Sequence, residues 1–416
     1  PLEQRRDLLT FDLSGAGGNF ALVGGPQTGK STALRTIVQA LSLTYTPQEV
    51  QFYVMDFGGG TFAGFSGAPH VAGIATRDTE EVRTRMLAEL AAILDDRERY
   101  FRQRGIDSMD TYRRGRAAGR YDDGYGDVFL VIDGWGALRS EFDSLDRHVT
   151  TMMSSGLSLG VHLIIAANRW MDIRADAQDI FGSRLELHTA NPKESIINRQ
   201  GAARIPKGRP GRGIDMAGHE MMIGLPRADE EPDPTTVSQG VAYTVNKIRE
   251  HLVAGEGPKL RLLPEQITLE DILSQLPKQH ILPRGGGDMI LGLEESRLGP
   301  LLFNTRTDSH LYLFGDAKTG KTSFLRSIIS EITRLYTPRE AKIMAIDMRR
   351  SLLGAVPEEY TLRYVTNHQD AMKQMREVAQ FMRTRLPGSD VTPEQIRNRN
   401  WWSGPELWVL VDDYDL

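Results

Sequence analysis

The sequence predicts an α/β chain built twice in tandem, each half a mainly parallel central sheet flanked by helices. Three observations predict it. The phosphate-loop pattern GxxxxGK[ST] occurs at Gly24-Gly25-Pro26-Gln27-Thr28-Gly29-Lys30-Ser31 and again at Gly315-Asp316-Ala317-Lys318-Thr319-Gly320-Lys321-Thr322. The first copy stands between a short apolar run, Phe20 to Val23, and a segment of helical spacing, Thr32 to Leu43. That strand–loop–helix order is the setting the pattern needs. Finally, the residues around the two loops match at one offset, 315 − 24 = 291. Leu34-Arg35 matches Leu325-Arg326, Tyr45-Thr46-Pro47 matches Tyr336-Thr337-Pro338, and Asp56 matches Asp347, each Asp closing an apolar run. A gapless match of this length reads as a duplicated domain.

The first copy ends with an apolar strand, His219 to Leu225. An acidic, proline-rich loop follows from Arg227 to Thr236. Val241, Val245, Ile248 and Leu252 then share one helical stripe, and Gly255-Glu256-Gly257-Pro258 breaks the chain. The expected domains are therefore 1–255 and 256–416. The second copy has a lead-in, Met289 to Glu295, that the first lacks, and it stops where the first runs on. Both ends read as cut, and the N-terminus has neither an initiator Met nor the pattern of a signal peptide.

Composition excludes several classes. Lys plus Arg is 50 and Asp plus Glu is 55, so the net charge is −5. That balance argues against non-specific capture of nucleic-acid phosphates by the chain as a whole. There is no cysteine, hence no disulfide framework and no thiolate metal site. No apolar run approaches the ~20 residues of a membrane span.

The chemistry follows from the loops. Glycines let backbone N–H groups close around phosphate oxygens, and the helix N-terminus adds the positive end of its dipole. The expected nucleotide-binding residues run from Gly24 through Ser31 to Thr32, and from Gly315 through Thr322 to Ser323. Lys30 and Lys321 would reach the β- and γ-phosphates of ATP. Mg2+ would be held by Ser31 with Asp133 in the first copy and by Thr322 with Asp412 in the second. The two Asp residues close the apolar runs Val128 to Ile132 and Leu407 to Val411. Many motor ATPases place a Glu next to polarise the attacking water. Here that position is Gly134, which has no side chain, and in the second copy Asp413, a weak candidate. Ser158 to Arg169 reads as a buried strand ending in Asn168, a candidate γ-phosphate sensor, with His162 structural. Arg97, Arg99, Arg102, Arg104, Arg113, Arg114, Arg116 and Arg120 form a basic run, read as a solvated helix face and loop. Trp401, Trp402 and Trp408 read as packing residues.

These residues resemble the FtsK/SpoIIIE branch of hexameric P-loop motors. The carriers are Pro69-His70, the helix Glu81 to Phe101 with Arg97 and Tyr100, and Leu159-Gly160-Val161-His162-Leu163-Ile164. Within that branch the chain is similar to the EccC family of type VII (ESX) secretion ATPases. Tyr125 to Trp135, Arg209-Pro210-Gly211-Arg212-Gly213 and Trp401-Trp402-Ser403-Gly404 carry that likeness. It implies RecA-like P-loop NTPase domains, the second and third of three, in a homo-hexameric motor. It also implies a place on the cytoplasmic face of the cell membrane, anchored through parts outside this chain. The implied partners are the membrane subunits of the secretion machine and small helical Trp-x-Gly proteins recognised by C-terminal signals. Motors of this branch carry an arginine finger just before Ser158, where this chain has Leu157. With Gly134, that leaves the first module expected to bind ATP with little or no hydrolysis, a structural or regulatory role. The alternative is a segment of an FtsK-like DNA translocase.

Overall fold

The computed structural model describes residues 8–253, 255–275, 288–295, 297–398 and 401–414. The chain forms two compact units, Pro1–Leu262 and Leu263–Leu416. The division falls beyond the expected break at Gly255, because residues 257–262 pack along the edge of the first unit. Gly257 N donates to Pro69 O at 3.1 Å and Leu260 N to Ala72 O at 2.9 Å.

The first unit contains strands β1 (Phe20–Val23), β2 (Val50–Asp56), β3 (Val71–Thr76), β4 (Asp127–Asp133), β5 (Val161–Ala167), β6 (Ser183–Leu187), β7 (Arg212–Ile214) and β8 (Glu220–Met222). Its helices are α1 (Lys30–Thr44), α2 (Glu80–Arg104), α3 (Met109–Ala117), α4 (Trp135–Glu141), α5 (Asp143–Gly156), α6 (Ala175–Gln178), α7 (Arg199–Arg204) and α8 (Val237–Glu250). One sheet takes the order β3-β2-β4-β5-β1-β6-β7-β8. Its first six strands are parallel, and β7 and β8 are antiparallel additions at one edge.

Every residue of β1, β2 and β5 is buried. That is why these strands read as unbroken apolar runs: helices cover both faces of a parallel sheet. Alternation along β1 shows the two layers. Phe20 and Leu22 pack with Leu34 and Val38 of α1 and Val241 and Val245 of α8. Ala21 and Val23 face the opposite core, shared with Met86 and Leu90 of α2, Trp135 of α4 and Met153 of α5.

The basic run departs from its expected solvated role. Arg99, Arg102, Arg104, Arg114 and Arg120 are exposed, but Arg97 has no accessible side chain. It donates to Asp123 Oδ2 at 2.7 Å and to the carbonyls of Leu159, Tyr125 and Gly126. Arg113 forks onto Asp127, and Arg116 reaches Gln48 O. A buried guanidinium needs such a complete set of acceptors. His162 is structural as expected: it is buried, stacks on Phe129 at 4.5 Å and meets Asp127 Oδ1 at 2.9 Å.

The second unit contains α9 (Leu269–Gln275), an antiparallel pair β9 (Asp288–Leu293) and β10 (Pro300–Asn304), then α10 (Lys321–Leu335), β11 (Ala341–Asp347), β12 (Thr361–Val365), α11 (His368–Arg383), α12 (Pro393–Asn398) and β13 (Glu406–Asp412). The last three strands form a parallel sheet in the order β12-β11-β13. Ile328, Ile329 and Ile332 of α10 close the core over Ala341 and Ile343. Trp401 and Trp402 pack as expected: Trp401 Nε1 donates to Arg385 O at 2.7 Å, and the Arg385 guanidinium lies 4.2 Å over the Trp402 ring.

Candidate nucleotide-binding sites

Each loop leads into a helix, and the two have the same backbone. Gln27 and Gly29 have φ of 58° and 99°, and Lys318 and Gly320 have 65° and 95°. The alternation turns successive N–H groups toward one concavity at the N-terminus of α1 and of α10, a ready anion site. Thr28 Oγ1 donates to Gly25 O at 2.8 Å, and Thr319 Oγ1 to Asp316 O at 2.9 Å. Lys30 Nζ lies 2.7 Å from Gly25 O and Lys321 Nζ 2.8 Å from Gly315 O, so both ammonium groups arch over the loop. Burial holds the Lys30 ammonium below its usual pKa, a shift that Asp133 and Asp172 oppose.

The expected Mg2+ ligands meet in both copies. The Ser31 hydroxyl lies beside Asp133 and favours its carboxylate form. Thr322 Oγ1 donates to Asp412 Oδ2 at 2.8 Å. Burial raises the Asp133 pKa, and neighbouring Asp56 raises it further. A divalent cation suits a carboxylate in that position. A Cβ at Gly58 would stand 2.6 Å from Asp133 Oδ2, so glycine keeps that side of the carboxylate open. Ser31 and Asp133 would hold Mg2+, directly or through water, and its charge would neutralise the β- and γ-phosphate oxygens.

Two further hydroxyls belong to these sites. Thr61 Oγ1 reaches Asp133 Oδ2 at 3.2 Å, and Ser351 Oγ bonds Asp412 Oδ2 at 2.5 Å. The strand-end residues Asp56 and Asp347 shape the loops that deliver them. Asp56 accepts from Gly58 N and Phe62 N, and Asp347 from Ser351 N and Leu352 N. The hydroxyls stand five residues after Asp56 (61 − 56) and four after Asp347 (351 − 347). A gapless comparison therefore slides past them, although a hydroxyl soon after each Asp was the available signal.

Gly134 caps α4 with φ 97°, and a Cβ there would lie 3.2 Å from Phe57 Cβ. Leu157 is half-buried at the C-terminal end of α5 and packs toward Gly18 of its own unit. Asn168 is exposed just past β5, next to Ala167, whose carbonyl accepts from Gly24 N at 3.1 Å. Asp413 takes φ 54° and forms an ion pair with Arg349 at 2.9 Å. The candidate water-orienting carboxylate of the second site is thus engaged by a cation of its own unit.

The first loop also has a roof. Gly211 N donates to Thr28 O at 2.8 Å. Pro210 joins Gln27 to Thr32 in lining a cavity of about 280 Å3. Gly29 must be glycine here, since a Cβ would meet Gly211 N at 2.9 Å.

A parallel sheet with the phosphate-loop strand between β5 and β6, a loop lysine and an acidic partner strand together define a P-loop nucleotide-binding protein. The chain belongs to the FtsK/SpoIIIE family, whose pattern matches residues 1–230 and 288–400, and within it to the EccC ATPases. It is 43% identical over its whole length to the ESX secretion system protein EccC of Thermomonospora curvata, of which it spans 31%. It is 35% identical to the ESX-1 secretion system protein EccCb1 of Mycobacterium tuberculosis, spanning 71% of that protein. The chain therefore covers about a third of the full-length EccC relative. A solved structure of T. curvata EccC, ATPases 2 and 3 in complex with a signal sequence peptide, superposes on all of this chain and 74% of that one, with TM-score 0.84 and 42% identity.

Proposed function

We propose that this chain is an ATP-binding tandem module of a type VII secretion motor. Its first nucleotide is held for structure or regulation, and its second unit takes up the signal segment of a small helical secreted protein. In the assembled motor it would be one of six identical chains on the cytoplasmic face of the membrane, docked to the machine's membrane subunits. The supporting observation is the groove between β12 and α11 of the second unit, a cavity whose lining offers apolar and basic side chains to an extended segment.

In the first unit the groove runs between β3 and α2. Residues 257–261 lie in it. Leu260 sits against Gly73 and joins the core, Arg85 Nε donates to Arg261 O at 2.9 Å, and Lys259 Nζ bonds the carbonyls of Ala68 and Val71. The same place in the second unit lies between β12 and α11. Register fixes the correspondence: Tyr53 pairs with Gly73, Met344 with Arg363, and 344 − 53 = 291. There the groove is a cavity of about 320 Å3 lined by Leu362, Arg363, Val378, Phe381, Arg385 and Leu407. Phe381 lines the groove beside Val378 and Leu407. An extended segment with one apolar anchor fits such a groove, with main-chain bonds supplying affinity and the pocket supplying specificity.

The test is a titration of this chain with a fluorescent peptide copied from the C-terminal signal of a small helical Trp-x-Gly protein. Saturable binding that Phe381→Ala abolishes, with the helical content unchanged, is the expected result. Binding that is absent, or indifferent to Phe381, removes the recognition role. The DNA-translocase reading predicts instead saturable binding of duplex DNA at physiological salt. It gains nothing from the basic run, three of whose arginines are committed inside the unit.

A further inference from the structure

Resting on the reading of the first loop as a nucleotide site, we propose that the Arg209–Arg212 segment and Met222 form the seat for the nucleotide's base. Pro210 supplies one face, and Arg212 and Met222 supply its rim. The phosphate end of the ligand is fixed by Lys30 and the N-terminus of α1. The rest must leave the loop past Thr32, and the cavity there has one wall contributed from outside residues 27–32, namely Pro210.

That wall is held rigidly. Gly211 N donates to Thr28 O at 2.8 Å, and Ile223 N donates to Gly211 O at 2.9 Å. The segment is thereby stitched to the phosphate loop on one side and to the β7–β8 hairpin on the other. Gly211 itself takes φ 83°, and a Cβ there would stand 3.4 Å from Met222 Sδ, so the backbone comes close to that thioether. Met222 is 61% exposed, and in the hairpin it is the direct partner of Arg212. Direct partners present their side chains on the same face. Among the described residues neither Arg209 nor Arg212 is in an ion pair, and both are exposed. A proline ring, a polarizable thioether and a planar guanidinium suit the flat, apolar face of a purine. None of them is a hydrogen-bonding group that a further phosphate would require, except the two arginines. They therefore set the alternative that the experiment must separate.

The experiment compares two ligands on the nucleotide-stripped chain, with the second site disabled by Lys321→Ala. ATP carries both phosphates and base, whereas inorganic tripolyphosphate carries phosphates alone. Wild-type residues at the seat should favour ATP strongly. Pro210→Gly and Arg212→Ala should each weaken ATP about tenfold, a change of one decade in Kd, while leaving tripolyphosphate binding unchanged. Met222→Ala provides a variant that leaves the loop backbone untouched and should act in the same sense. Lys30→Ala should weaken both ligands. Equal loss of ATP and tripolyphosphate in the Pro210 and Arg212 variants would mean that the segment serves the phosphates, and the proposal fails. Unchanged ATP binding in all three variants overturns it as well. Failure of the folded parent to bind either ligand would instead overturn the nucleotide reading on which it stands.

Discussion

The two phosphate loops have nearly the same backbone and very different surroundings. In the first, Gly24 and Gly25 are buried, and their N–H groups are taken by Ala167 O and His188 O. The second loop repeats that backbone, with Lys318 and Gly320 at φ 65° and 95°. The partners of β1 are β5 and β6, which begin more than a hundred residues beyond the first loop. The loop's conformation is therefore written locally, in eight residues with glycine where φ is near 100°. Its burial is written elsewhere, in strands that arrive more than a hundred residues later. The sites differ in chemistry too. The first pairs Gly58 with Gly134, whereas the second places Arg349 and Asp413 at corresponding positions, joined as an ion pair.

The sharpest way to break this contrast is through turnover. With the second module silenced by Lys321→Ala, Gly134→Glu alone should leave phosphate release near background. The missing positive charge at the Leu157 position is worth ~10^3–10^5 in rate in enzymes that use such a finger, and parts of one catalytic unit are strongly non-additive. The backbone adds an obstacle, since Glu at φ 97° and 3.2 Å from Phe57 would be strained. Gly134→Glu with Leu157→Arg is the least change expected to restore hydrolysis. A large gain from Gly134→Glu alone would show that the finger is dispensable or supplied from elsewhere.

Much of this was legible in the sequence because the chemistry lies in short, contiguous segments. The loops, the strands ending at Asp56 and Asp133, and β5 stand out because a parallel strand covered on both faces has no polar alternation. Helical spacing located α1 and α8 to within a few residues at each end, whereas α2 stood out through family likeness. What escaped detection depends on tertiary closure. Nothing local distinguishes Arg97, which is enclosed by four acceptors, from exposed Arg99 two residues on. Thr61 and Ser351 were hidden by a one-residue difference in loop length. The Arg209–Gly213 segment stood out only through family likeness, and its contact with Thr28 joins residues 183 apart in sequence (211 − 28).

A second effect, of several kcal/mol, concerns stability. A ligand bound only by the folded state contributes RT ln(1 + [L]/Kd), about 4 kcal/mol at a thousandfold excess over Kd. ATP rather than ADP should be recovered from the first site of freshly purified protein, identified by extraction and chromatography. Lys30→Ala should then lower the melting temperature of the first unit. An unchanged melting temperature after demonstrated loss of the nucleotide would remove the structural role.

The smallest expected effect tests a buried contact of the first unit. Asp127 opens β4, meets His162 Nε2 through Oδ1, and accepts from Nε and Nη2 of Arg113. Burial pushes its carboxyl up, but the bonds from His162 and Arg113 outweigh that and hold the pKa at about 2, against 3.8 for a free side chain. A carboxylate whose pKa is depressed on folding adds stability above its unfolded value. That contribution disappears as pH falls through the folded one. At neutral pH the shift corresponds to about 2 kcal/mol, and it should fade between about pH 4 and pH 2. Asp127→Asn should therefore destabilise the first unit by about that amount at pH 7, and by progressively less as the solution is acidified through that window. Urea unfolding of both proteins at several pH values measures the difference directly. In the second unit the same register position is Glu406. A gap between parent and variant that stays constant down to pH 2 would show that Asp127 acts by shape rather than charge. The ion pair would then explain none of the first unit's acid sensitivity.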